Sequence, residues 1–324
     1  MKVTIVIPAY NVEDYICETL LHVQNQTHKD FECVIIDDNS TDSTIDLVIE
    51  QFCKRDPRFK ILINTTKGHP QYSYAHNFAY TYSSTEYTVH IDADDIPCDN
   101  MIEIMLSYMV NNQNIDACGC RINILEPYGN IWRQQDTPYY ETQNPNPYVF
   151  HYPSRWEDEE FNEFPTYRIV KNGCMVPNQA IIFKTEKIKS LIQSGIKFFD
   201  NQPFADYIFW MTAIANGTVV KKIDTPLLYW REHNRSISHN IKYQIMWDEP
   251  VQLYICHYAR FLCILKSRQI DSNVLQEEYD YTKDTLKKAL SIIQSTGQES
   301  AIPDIYKDYS IFEQHGYKDI QKDS

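Results

Sequence analysis

Positive charge is what this sequence lacks most. Its 324 residues hold 30 Lys and Arg against 44 Asp and Glu, a formal net charge of −14 with a pI near 5.1. That balance excludes the basic footprint of a nucleic-acid binder and a general attraction to anionic lipid. Any phosphate group must be met locally, by a divalent cation, a helix N-terminus or a few placed basic side chains. Also missing is any run approaching the roughly twenty apolar residues of a membrane span, and the opening MKVTIVIPAY reads as neither signal peptide nor anchor. The nine cysteines lack zinc-type spacing and are odd in number, the pattern of reduced, mostly buried thiols in a cytoplasm. With 43% hydrophobic and 23% charged residues, the composition is that of a globular protein.

What is present is alternation. KVTIVI, FECVIID, RFKILIN and EYTVHID are short buried-strand patterns. Between them lie helical stretches: about Val12 to Gln26, IDLVIEQFCK after the capping residues of DDNSTDST, and YSYAHNFAYTYSS. Strands alternating with helices imply right-handed crossovers and a mostly parallel, Rossmann-like α/β sheet flanked by helices. Ligands of such sheets bind beyond the strands' carboxyl ends, where PAYN, DDNS, TTKGHP and DADD all fall.

From about residue 127 to 165 the chain turns irregular and rich in Tyr, Asn and Pro, which suggests long functional loops. Trp132, Tyr139, Tyr140, Tyr148, Tyr152 and Trp156 in this stretch could stack on sugar rings or simply form core. QAIIFKTE and TVVKKIDTPLLYW read as further strands, and FADYIFWMTAIANG as a helix closed by Gly217. Beyond about residue 240, two amphipathic patterns predict a helical hairpin over 241–324. That hairpin packs on its own domain, forms a homodimer face or makes peripheral contact with the inner face of a membrane, the first being the simplest.

The stretch TVHIDADDIP crowds Asp92, Asp94 and Asp95 at the end of an apolar run. Strand alternation would aim Asp92 and Asp94 the same way across Ala93. Oxygen-only ligands favour a hard cation such as Mn²⁺ or Mg²⁺, which keeps waters and bridges to phosphate. Helix caps and solvated turns also carry such strings. The second acidic pair, Asp37 and Asp38, ends another strand on the same sheet edge, which strengthens the metal reading.

TIVIPAYNVEDYICETLLHVQNQTHKDFECVIIDDNSTDST, followed by HIDADD and later PLLYWREHNRSIS, resembles the family 2 glycosyltransferases of GT-A fold over about three-quarters of the chain. The resemblance implies a GT-A domain over 1–240, with a nucleotide-binding half to about 125 and an acceptor half from about 126. It further implies an inverting hexosyl- or N-acetylhexosaminyltransferase of polysaccharide biosynthesis. Such an enzyme moves sugar from a nucleotide-diphosphate donor, with UDP expected, to a glycan or lipid-linked acceptor.

By the same resemblance Pro8, Ala9, Tyr10 and Asn11 form the first nucleotide loop, with Tyr10 stacking on the base. Asp38 accepts from a ring N–H, or else caps the next helix, a task Ser40 or Asp42 could take instead. Asp92 and Ala93 lie near the ribose, Asp92 and Asp94 hold the metal with Asp95 as a secondary candidate, His233 reaches the metal, and Arg231 reaches the diphosphate. Asp206 matches the family's general base, although Ala205 stands where a Glu is usual and Asp200 could compensate. His76 replaces a usual Arg, a lost charge that Lys67 or His69 could restore.

Two rival readings accompany this one. A sugar-phosphate nucleotidyltransferase would open with a glycine-rich basic loop, which PAYNVEDY is not. A non-catalytic glycan-binding relative would explain Ala205 and His76, but not the retained Asp92, Asp94 and Asp206.

Overall fold

A computed structural model describes residues 1–64, 72–125, 131–134, 178–198, 205–231, 233, 250–266 and 272–308 of the protein. The β-branched runs form β1 (Val3–Ala9), β2 (Phe31–Asp37), β3 (Phe59–Ile63) and β4 (Tyr87–Ile91). They align in the order β3-β2-β1-β4, every neighbour parallel. The intervening α1 (Ile16–Asn25), α2 (Thr44–Val48, running on as a wide turn over Ile49–Cys53) and α3 (Tyr72–Tyr82) supply the crossovers. β1 and β4 are buried at almost every residue, as a parallel strand covered on both faces must be.

The order reverses at β1: β2 and β3 lie on one side, β4 on the other. Such a switch point opens a crevice at the carboxyl ends of β1 and β4, because successive crossovers depart to opposite sides. PAYN and DADD flank that crevice. Past β4 the sheet becomes mixed. β8 (Ala180–Lys184) runs antiparallel to both β4 and β6 (Ala117–Leu125), and β9 (Val220–Arg231) runs parallel to β6. β5 (Ile96–Pro97) closes antiparallel on β9, and β7 (Ile131–Gln134) pairs with β6.

β6 is an addition to the sequence reading, which passed over ACGCRINIL. The register of β6 with β9 shifts around Arg121, opposite Pro226, whose missing N–H cannot sustain an even ladder. The first helix also starts later than its pattern suggests. Val12 and Glu13 donate their N–H groups to Thr44 Oγ1 and Asp42 Oδ2, at 2.9 and 3.1 Å, and are held in a loop.

α4 (Met101–Asn111) and α5 (Thr185–Gln193) pack on the sheet, while α6 (Ala205–Ala215) is buried on nearly every side. Tyr207, Ile208, Phe209, Trp210 and Met211 are all buried there. At about 1.5–3 kcal/mol each, their burial fixes this helix by on the order of 10 kcal/mol. The N-terminus of α6 is therefore a rigid mount. α7 (Pro250–Lys266) and α8 (Ser272–Thr296) form the expected hairpin, and Tyr254, Ile255, Tyr258 and Phe261 of α7 share one core with Tyr207 and Met211 of α6. The apolar face of α7 is thus covered by its own chain. Among the described residues no helix is long and apolar enough to cross a membrane.

α6 ends in a Schellman motif: Thr218 N–H donates to Ala213 O at 3.0 Å and Gly217 N–H to Ile214 O at 2.9 Å, with Gly217 at φ +85°. A Cβ at Gly217 would meet nothing within 4 Å, so only the left-handed backbone opposes a side chain. Gly217→Ala is expected to lower unfolding free energy by about 1–2 kcal/mol and Gly217→Asn by less, read from denaturant midpoints. Equal midpoints for Ala and Gly would refute this.

Candidate active site

The loops after β1 and β2 are sewn to one another. Asp38 N–H donates to Ala9 O at 2.8 Å, and Asn11 N–H donates to Ser40 Oγ at 3.0 Å while Asn11 Oδ1 accepts from Thr41 N–H at 2.7 Å. Asn11 and Asn39 both take left-handed backbone, φ 51° and 64°, which asparagine tolerates better than most side chains. Pro8 is half-buried and Ala9 buried, so Tyr10 is the member of PAYN whose ring stands out, 42% exposed. Asp38 is buried, and its Oδ1 accepts from Asn64 Nδ2 at 2.8 Å. Asp42, rather than Asp38, accepts from the Thr44 N–H that opens α2, at 3.0 Å. Asp37 is wholly buried, and burial pushes its carboxyl up despite the Ser40 N–H it accepts at 3.0 Å.

The acidic triplet converges, but by a route other than alternation. β4 stops at Ile91, and Asp92–Asp95 close a turn in which Asp95 N–H reaches Asp92 O at 3.3 Å. One oxygen from each of Asp92, Asp94 and Asp95 lies within 4.8 Å of the others. Two charges 4 Å apart repel by about 4 kcal/mol at an effective dielectric of 20. Three such pairs would cancel the roughly 5–15 kcal/mol that holds a domain together. Either protons or a cation must relieve them. Accordingly, burial and then the Asp94 charge raise Asp92, and burial, Asp94 and Asp92 raise Asp95.

Asp95 has become a brace. Fully buried, it accepts the Arg231 N–H at 2.9 Å, placing the end of β9 against the turn. Arg231 Nε donates to Asp94 O at 2.9 Å, one Nη donates to Glu18 at 2.5 Å, and the guanidinium lies over Tyr15 at 5.2 Å. Contact with a diphosphate would fall to the other Nη. His233 stacks on Tyr15, ring centroids 4.3 Å apart, and sets Nε2 3.0 Å from Asp94 Oδ2.

A hard divalent ion with ligands at about 2.1 Å holds neighbouring ligand atoms about 3 Å apart. The Asp94–His233 separation fits that edge, and a carboxylate-plus-imidazole set suits Mn²⁺ at least as well as Mg²⁺. Ala93 is buried, its carbonyl accepting from Thr19 Oγ1 at 3.0 Å, which leaves its backbone as what it offers a ligand.

Asp206 sits in the first turn of α6. Burial, offset by the Tyr207 N–H and reinforced by the Asp92 charge, pushes its carboxyl up to about 6. Ala205 is buried, in one hydrophobic cluster with Phe198 and Phe209, where a Glu carboxylate would lose its water. Lys67, His69, Asp200 and the aromatic residues from Tyr139 to Trp156 lie outside the described residues; Trp132 is placed only by the pairing of β7.

Sequence reasoning missed His90. It is fully buried in β4, and Nε2 donates to Asp92 Oδ1 at 2.8 Å. The signal was available: a histidine within an otherwise apolar strand, two residues before a ligand. Glu18, Tyr15 and Asn64 were also missed, since nothing local marks a residue that meets the site across the fold. Neighbouring support comes from Asn178 Oδ1, which accepts from Tyr80 Oη at 2.8 Å and Trp210 Nε1 at 2.9 Å.

For Asp206, stability linkage has a definite sign. A carboxyl held at about 6, above its ordinary value of 3.8, binds its proton more tightly folded than unfolded. The penalty is absent below pH 4, grows between the two values and is complete above 6. In metal-free buffer, Asp206→Asn should melt above the native protein at pH 8 and level with it near pH 4. A lower melting temperature at pH 8 would contradict the burial argument.

Comparison with known proteins agrees with this geometry. The profile described as Glycosyl transferase family 2 matches residues 4–174, more than half of the chain. The bifunctional glycosyltransferase pgtA of Dictyostelium discoideum is 26% identical over 264 residues, 78% of this chain but only 33% of pgtA. An uncharacterized glycosyltransferase of Methanocaldococcus jannaschii, MJ1057, is 27% identical over 234 residues, 72% of this chain and 71% of its own. Among solved structures, S. aureus TarS 1-349 in complex with UDP-GlcNAc superposes with a TM-score of 0.58 at 19% identity, covering 91% of this chain and 73% of that one. That likeness establishes a shared GT-A fold. Fold, profile and the acidic turn at the switch point agree: the chain belongs to glycosyl transferase family 2.

Proposed function

We propose that this glycosyltransferase is inverting and metal-dependent, and that it moves a sugar from a UDP-type donor to a glycan or lipid-linked acceptor in polysaccharide assembly. The observation that carries the reading is the gathering of Asp92, Asp94 and His233 past the end of β4, in a sheet whose strands β1 and β2 lead into Tyr10 and Asp38. TarS, which shares the fold, has been crystallised in complex with UDP-GlcNAc, and this supports a uridine nucleotide here by analogy.

Tyr10 offers its exposed ring to the base. Asp38, oriented by Asn64, accepts a ring N–H. Asp94 and His233, with Asp92, hold the divalent ion, which when bound neutralises the diphosphate as a Lewis acid. Arg231 keeps the turn in register through the Asp94 carbonyl and Asp95.

Asp206 takes the proton of the acceptor hydroxyl as its oxygen bonds to the anomeric carbon from the face opposite the diphosphate. The sugar–phosphate C–O bond breaks, its electron pair leaves with the nucleoside diphosphate, and the anomeric centre inverts. A carboxylate held at about 6 is still ionised at neutral pH and is a stronger base than an ordinary aspartate.

Incubation with UDP-sugars and Mn²⁺ should release UDP, with EDTA and Asp94→Asn each reducing turnover at least about 100-fold. Pyrophosphate release, or turnover indifferent to EDTA, would overturn the reading. Asp206→Asn should retain Mn²⁺-dependent UDP binding and lose about 100-fold or more in transfer, the usual scale of general-base loss. Full activity in that variant would remove Asp206 from the role.

A further inference from the structure

We propose that His76, His90 and Asp92 form a second cation site, next to the oxygen-lined turn but of different chemistry, which takes a nitrogen-preferring divalent ion of the zinc class. One ring nitrogen from each imidazole and one Asp92 oxygen lie within 4.8 Å of one another. Two imidazoles and one carboxylate are the donor set of zinc and related transition metals, not of Mg²⁺.

The geometry is close to what ligation needs. With metal–nitrogen bonds of about 2.0–2.1 Å, two imidazoles on adjacent positions of one ion place their ring centroids about 5 Å apart. The His76 and His90 centroids are 5.1 Å apart, with ring planes inclined by 28°. His90 Nε2 and Asp92 Oδ1, at 2.8 Å, need to open by only a few tenths of an ångström to become neighbouring ligands.

Burial points the same way. His90 is wholly buried and its Nδ1 has no hydrogen-bond partner among the described residues, so the ring proton can move from Nε2 to Nδ1 and free Nε2 for an ion without breaking a bond at Nδ1. His76 is 3% exposed. The Asp92 side chain is 41% exposed and provides the side from which an ion enters.

Asp92 belongs to both sites. An ion drawn to the histidines pulls that carboxylate from the cation that grips the donor, so zinc inhibits Mn²⁺-supported transfer. This consequence rests on the proposed function, whereas binding of the ion does not.

The test uses Co²⁺ as a coloured zinc surrogate. Co²⁺ is titrated into the metal-free 324-residue chain without donor, and visible ligand-field absorption is followed, with folding checked by circular dichroism. The native protein should develop bands without thiolate charge transfer, and Zn²⁺ should bleach them. Asp94→Asn should keep the bands. His76→Asn and His90→Asn should each weaken Co²⁺ affinity by at least about tenfold, the lower end of what even an outer-shell loss costs. If His90→Asn does not fold, His76→Asn and His76→Gln carry the test.

Co²⁺ affinity that is unchanged in the His76 variants, or bands that vanish in Asp94→Asn, overturn the site. So do thiolate bands. In assays with Mn²⁺, each variant being compared with its own zinc-free rate, Zn²⁺ should inhibit the native protein at least about tenfold more strongly than His76→Asn. Equal zinc sensitivity overturns the inhibitory role even where the cobalt spectra stand, and absent transfer in every protein faults the functional reading rather than the site.

Discussion

Repulsion among three carboxylates within 4.8 Å is the constraint around which the rest of this molecule is arranged. No folded chain of ordinary stability tolerates that crowding uncompensated. One carboxylate, Asp95, is buried and tied to the β9 backbone. Asp92 is steadied by His90 from within the strand. Asp94 is left facing His233, with the charge that a divalent ion would answer. In a chain of net charge −14, a phosphate ligand has few other sources of attraction, and a cation held at this turn would make an acidic protein a diphosphate binder.

Topology makes the arrangement reproducible. The reversal of strand order at β1 brings PAYN and DADD to one crevice, and the short β5–β9 pairing, Ile96 opposite Tyr229, carries Arg231 and His233 to the same place. Asp206 stands in the first turn of a helix whose buried aromatic residues leave it little freedom. The acidic turn and Asp206 are thus mounted on separate rigid elements. On the proposed function, that separation would let one carboxylate remain basic while others hold a metal, the division of labour that distinct environments produce.

Much of this was legible in the sequence because the signals were local. Alternating buried strands and helices gave the parallel half of the sheet, while the family resemblance singled out Tyr10, Asp38, Asp92, Asp94, Arg231 and His233, which end or follow β1, β2, β4 and β9. The convergence of the triplet was foreseen on a mistaken ground: a turn, not strand alternation, brings the oxygens together, since β4 ends at Ile91. β6 escaped notice because CGC hides a strand whose pairing over those residues, with β8 and β9, is long-range. His90 and Glu18 escaped because their meaning depends on partners that only folding supplies. Ala205, a departure from the family pattern, has a plain physical reason in the core against which it packs.

Everything proposed for the donor requires these side chains to hold a nucleoside diphosphate through a divalent ion. Calorimetric titration of UDP into the protein, with and without Mn²⁺, measures that dependence directly. Binding that appears only when the metal is present is the predicted result; the same UDP affinity in both titrations would contradict it.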